Sequence, residues 1–112
     1  SNSKELLHAC EISLIKDASQ GISWLAIISS TSPFIGLFGT VVGILESFAK
    51  FASQSKVAFS VIAPAISEAL VATAAGILVA IFAYTFHQII SRKVYELNIY
   101  LKAESQILIA KG

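Results

Sequence analysis

Val61-Ile-Ala-Pro-Ala-Ile-Ser-Glu68-Ala-Leu-Val-Ala-Thr73-Ala-Ala-Gly76-Ile-Leu-Val-Ala-Ile-Phe-Ala-Tyr-Thr-Phe86 contains one charged residue, Glu68, and none from Ala69 to Phe86. An uncharged apolar run of about 18 or more residues reads as a membrane span. A carboxylate at the edge of such a span is costly to desolvate, so it is a functional-site hypothesis by default. Pro64 suits the first turn of the helix, where its missing N–H has no partner to lose. The span is assigned to residues 61–90.

A second uncharged run lies upstream, at residues 22–45. Its helix would be about 36 Å long at ~1.5 Å per residue, enough to cross a ~30 Å hydrocarbon core. Trp24 sits near one end, where aromatic belts lie. Pro33 predicts a kink, with Ser29, Ser30 and Thr31 close by to satisfy freed backbone groups. Residues 46–60 form a short external connection, which makes the two spans antiparallel neighbours. Residues 1–21 form an amphipathic helix with Leu7, Cys10, Leu14 and Ala18 on one stripe. Residues 91–112 continue as a second amphipathic helix, with Ile90, Val94, Leu97, Leu101 and Leu108 on a seam that Glu104 breaks. The fold class is all-α: a membrane protein whose long transmembrane helices extend into the cytoplasm.

Composition supports this reading. Hydrophobic residues make up 55% of the chain and charged residues 13%, with a mean hydropathy of +0.76. Soluble domains carry about 25% charged residues. A net charge of +1 gives no nucleic-acid footprint. One cysteine, Cys10, makes neither a disulfide framework nor a metal set. Ser1-Asn2-Ser3 lacks the basic n-region and cleavable apolar core of a signal peptide. His8 and His87 are isolated, and the spans hold no Ser/His dyad, Asp pair or His/Glu metal spacing. An enzyme is therefore disfavoured, and no catalytic residue, metal or cofactor is assigned. Of the basic residues, Lys50 and Lys56 fall in the connection, whereas Lys4, Lys16, Arg92, Lys93, Lys102 and Lys111 flank the spans on the other side. That bias places both termini in the cytoplasm and the connection outside.

Each span has a face of small residues. On a helical wheel, Ala65, Ala69, Ala72, Gly76, Ala80 and Ala83 share one arc of the second span. Ser32, Gly36, Gly39, Thr40, Gly43 and Ser47 share one arc of the first, and Gly39 and Gly43 make a GxxxG. Small residues let helix backbones approach closely in lipid. Thr40 and Thr73 lie at the edges of the two arcs, and Glu68 lies on the other flank of its own. Two readings stay open for Glu68. It snorkels to the headgroups or pairs with Lys56; or it faces a protein interior, where it is a proton-exchange candidate.

Two stretches resemble a known family. Ser32-Pro-Phe-Ile-Gly-Leu-Phe-Gly-Thr-Val-Val-Gly-Ile44 resembles the second transmembrane helix of the ExbB/TolQ proton-channel family, which is related to flagellar MotA. Ala63-Pro-Ala-Ile-Ser-Glu-Ala-Leu-Val-Ala-Thr-Ala-Ala-Gly76 resembles its third. The resemblance covers roughly residues 30–90, with both motifs in the family's order. It implies a bacterial inner-membrane subunit that forms a homo-oligomer, expected to be a pentamer. That oligomer surrounds the helices of an ExbD/TolR-type single-span partner. Protons passing into the cytoplasm then drive TonB or TolA to act on the outer membrane. The family's pore threonines match Thr40 and Thr73, and its intramembrane glutamate matches Glu68; the proton-carrying aspartate belongs to the partner. The threonine hydroxyls are able to bond that carboxyl in either protonation state. The sequence departs from the family at Val42, where Trp is usual, at Ala65 for Gly, and at Phe82 for Pro. The Phe82 change implies a straighter helix. The family's earlier transmembrane helix is missing, so the chain is expected to be a C-terminal portion of a longer protein. The alternatives are a MotA-like flagellar stator subunit and a non-conducting two-span scaffold whose small faces only pack.

Overall fold

The computed structural model describes residues 2–54 and 56–111. They form two α-helices, α1 (Asn2–Phe51) and α2 (Phe59–Lys111), of 50 and 53 residues. By length and composition both are able to cross a membrane. About 20 apolar residues suffice for a crossing, so each helix has more than twice the length required.

The helices run past the expected ends of the spans. α1 continues beyond residue 45 because Glu46-Ser-Phe-Ala-Lys-Phe51 is good helical sequence, with Glu46 and Lys50 one turn apart. The stretch between the helices is thus shorter than the expected 46–60, and Ser55 within it lies outside the described residues, as do Ser1 and Gly112. The amide of Gln54 bonds the Phe51 carbonyl at 3.0 Å, closing a turn after α1. The Ala58 carbonyl accepts from the amides of Val61 and Ile62, starting α2. Pro64 consequently sits five residues inside α2 and not in its first turn, and α1 passes through Pro33 without a break. The hydroxyls of Ser30 and Thr31 both bond the Ile27 carbonyl, and that of Ser32 bonds Ile28.

Residue contacts divide the chain into two units. In the unit Ile27–Ala83 the helices pack antiparallel, with Gly36 against Gly76 and Gly43 against Ala69. A Cβ on Gly76 would lie 2.5 Å from the Ser32 carbonyl oxygen, and one on Gly36 would lie 2.6 Å from that of Ala72. These are backbone atoms, which cannot turn aside. The two glycines are therefore required by close backbone approach. The buried residues here are all small: Ser32, Gly36, Thr40, Ala69 and Ala83. Phe34 and Phe38, by contrast, are each 71% exposed. Small residues inside and large apolar residues outside invert the pattern of a water-soluble core; a helix pair built this way is suited to lipid or to further protein contact.

The other unit consists of the described residues of Ser1–Ala26 and Tyr84–Gly112. Its half-buried positions are Leu7, Glu11, Ile15, Ala18, Ile22, Leu25 and Ala26 on α1, and His87, Ser91, Val94, Asn98, Leu101 and Ser105 on α2. The Ser105 hydroxyl donates to the Glu11 carboxylate. The expected stripes are only partly right. Leu7, Ala18, Val94 and Leu101 are half-buried, whereas Cys10, Leu14, Ile90, Leu97 and Leu108 are exposed. The packed face of α2 is the more polar of two neighbouring faces. Small serines and a Ser–Glu bond allow it to pack, and hydrophobicity alone points to the adjacent face.

Candidate functional site

The site grows from Thr40 and Thr73. A threonine in a helix ordinarily bonds the carbonyl one turn back, as Thr31 does to Ile27. Thr40 also reaches across to the other helix. Its Oγ1 lies 3.2 Å from the Gly36 carbonyl oxygen on α1 and 2.9 Å from the Ala69 carbonyl oxygen on α2. It is hydrogen-bonded to the hydroxyl of Thr73 as well. The glycine and alanine contacts on either side bring the backbones close enough for this. Thr40 is 6% exposed and Thr73 is half-buried, so the pair runs from the packed interior toward one flank of the helix pair.

The remaining small-face residues lie at or beside the contact between α1 and α2. Gly36 and Ala69 are buried, and Gly39, Gly43, Ala72, Gly76 and Ala80 are half-buried. A Cβ on Gly39 would meet that of Ala72 at 3.0 Å, and one on Gly43 would meet that of Ala69 at 3.1 Å.

Glu68 is exposed and stands apart from the threonines. It lines a groove of about 760 Å³ whose small apolar lining includes Gly39, Gly43, Ala69 and Ala72 and whose polar lining is Glu46, Ser47, Lys50 and Glu68. Neither threonine lines this groove. The structure thus brings Thr40 and Thr73 into one hydrogen-bonded pair and gives Glu68 a different setting. Among the described residues the ion pair found is Arg92–Glu96, at 3.4 Å, so Glu68 and Lys56 are not joined. Sequence reasoning missed Glu46 and Lys50 as companions of Glu68. Their one-turn spacing at the end of the span was the available signal. It also missed the Ala69 carbonyl as a partner of Thr40, which no side-chain pattern reveals.

The described residues contain no group of three or more His, Cys, Asp or Glu placed to hold a metal ion. Outside the apolar segments, Tyr100 is shifted. Glu104, one turn on, accepts its hydrogen bond and repels the phenolate, raising the hydroxyl above the usual phenol range. Tyr100 is exposed and takes no part in the site.

The chain matches the MotA/TolQ/ExbB proton channel family over residues 2–103. It is 53% identical over 109 residues to biopolymer transport protein ExbB-like 1 of Helicobacter pylori, covering 97% of this chain and 58% of that protein. It is 44% identical over 79 residues to biopolymer transport protein ExbB of Pseudomonas putida, covering 70% of this chain and 24% of that protein. Against Tol-Pal system protein TolQ of Pseudomonas aeruginosa the identity is 48% over 60 residues, covering 54% of this chain and 26% of that protein. The chain therefore spans between 24% and 58% of the length of these relatives. With matched residues running through both helices and the threonine pair, the chain belongs to the MotA/TolQ/ExbB proton channel family.

Proposed function

We propose that this chain supplies the pore-lining helices of a proton-driven motor subunit in the bacterial inner membrane. In this reading several copies, expected to be five, surround the helix of an ExbD/TolR-type partner. Proton passage at that interface is converted into work on the outer membrane through TonB or TolA. Both termini of the chain are cytoplasmic, and the connection between α1 and α2 is external. The observation that carries the reading is the threonine pair. Two hydroxyls from different helices meet within a contact of small residues. Hydroxyls donate and accept, carry no charge, and so serve a proton-carrying carboxyl without the cost of a buried ion. Glu68 is assigned to a contact between subunits, where it exchanges protons or fixes the register of neighbouring helices. Its place in a groove lined by glycine and alanine supports that assignment, since small residues admit another helix closely.

The test is Thr40→Val with Thr73→Val in the full-length protein in cells. Valine keeps the shape and removes the hydrogen bonding. Siderophore uptake and outer-membrane integrity should both be assayed, because the relatives include ExbB and TolQ proteins. The expected result is impaired coupling in one assay with assembly intact. Full activity of both variants in both assays would overturn the reading.

A further inference from the structure

The unit that holds Glu11 and Ser105 has two flanks, one on each side of its α1–α2 contact, and they differ in charge. The half-buried stripes fix how each helix is turned, and at ~100° per residue the other positions follow. His8 of α1 and Ile109 of α2 line one cavity of about 220 Å³ with Glu11 and Ser105, which identifies the flank that these two share. On that flank lie Glu5, Lys16 and Lys102. On the opposite flank lie Asp17, Glu104 and Lys111. All six are exposed, and none has a Lys, Arg, Asp or Glu of opposite charge three or four residues away in its own helix. The bond from Ser105 to Glu11 sets the heights, because one residue forward on α1 is one back on α2. Lys16 and Lys102 then lie within about 3 Å of one height, and Asp17 and Glu104 within about 8 Å, at ~1.5 Å per residue. The middle of each flank thus gathers like charge, and Glu104 accepts from Tyr100, which is neutral. Lys111 and Glu5 stand at one height about two turns further out.

We infer that the flank carrying Asp17, Glu104 and Lys111 docks on the flank carrying Lys16, Lys102 and Glu5 of a second copy of this chain. This rests on the proposed reading that several copies assemble. Copies in one membrane share one orientation, so a ring about an axis along the helices keeps every residue at its height. Asp17 then meets Lys16, Glu104 meets Lys102, and Lys111 meets Glu5, each pair matched in height to within about 3 Å. A parallel twofold dimer would instead set Asp17 against Asp17 and Glu104 against Glu104. The charges therefore favour the head-to-tail contact that closes rings and oppose the self-complementary one. Exposed ion pairs are individually weak, so their part here is to choose the partner face. The same contact would cover exposed Leu14 and Leu97 of one copy and Ile12 and Tyr95 of the next. Lys93, also on the flank of Asp17, has no counterpart at its height.

The experiment uses the full-length protein, otherwise free of cysteine, in native membranes. Glu104→Cys and Lys102→Cys chains are produced together and treated with a short bismaleimide. The mixed pair should crosslink between copies, and neither variant should crosslink when produced alone. Crosslinking of Glu104→Cys alone would mean that like flanks meet. An uncrosslinked mixture in an intact oligomer would mean that these flanks do not meet. Either result overturns the inference. Charge reversal gives a second readout. Lys102→Glu should weaken association at low salt by up to about fivefold per contact, with the difference shrinking in high salt. Adding Glu104→Lys to the same chain should restore association, and failure to restore it would overturn the pairing. A wild-type chain found as a monomer by native mass spectrometry would instead remove the reading beneath the inference, an outcome distinct from a crosslink between the wrong flanks.

Discussion

At the scale of single residues, the four glycines of the contact are not equivalent. Gly36 and Gly76 face backbone atoms, whereas Gly39 and Gly43 face alanine methyl groups. Gly36→Ala and Gly76→Ala should therefore destabilise the helix pair by about 1–3 kcal/mol, the usual cost of forced overpacking. Gly39→Ala and Gly43→Ala should cost less, because the added Cβ would meet an alanine methyl at 3.0 and 3.1 Å rather than a backbone oxygen at 2.6 or 2.5 Å. Thermal unfolding of the four variants in detergent gives the order, and equal losses at all four would refute it. Glu68 separates by chemistry. Glu68→Gln keeps hydrogen bonding without the charge; if it works as well as wild type in coupling assays, proton exchange is wrong and a structural role remains. If Glu68→Ala also works, the residue is only an interfacial one.

At the scale of elements, the two helices were legible and their packed faces were not uniformly so. The small-residue arcs of both spans coincide with the contact in the unit Ile27–Ala83. A lipid-suited contact is chosen by size, and size is written in the sequence. Outside that unit, Ile90, Leu97 and Leu108 read as a seam but are exposed, since Ser91, Asn98 and Ser105 occupy the packed side. Which of two adjacent faces packs depends on the partner helix, here on Glu11 meeting Ser105. Helix ends were also misplaced, because uncharged span and helix are different things: Glu46 and Lys50 end the first without ending the second. The topology remains a prediction. With Cys10→Ser as background, Ser53→Cys should react with an impermeant thiol reagent added to intact spheroplasts, and Ala103→Cys should not. The reverse labelling would invert the proposed orientation.

At the scale of the whole molecule, the large exposed apolar residues, Phe34, Phe38, Leu70 and Val71 among them, require lipid or other chains to cover them. Native mass spectrometry of the full-length protein should find a homo-oligomer, expected to be five copies, and Gly76→Leu should disperse it by spoiling the helix pair from which each copy is built. An unchanged oligomer in that variant would dissociate the small-residue contact from assembly. The hydroxyl pair of Thr40 and Thr73 is proposed to lie on the path by which protons do work. Its most direct test is proton influx into liposomes carrying the assembled wild-type or Thr40→Val complex under the same membrane potential. Influx through Thr40→Val should be about five- to tenfold slower, the factor for one hydrogen bond of about 1 kcal/mol lost from the transition state. Equal influx through an intact Thr40→Val assembly would contradict the account.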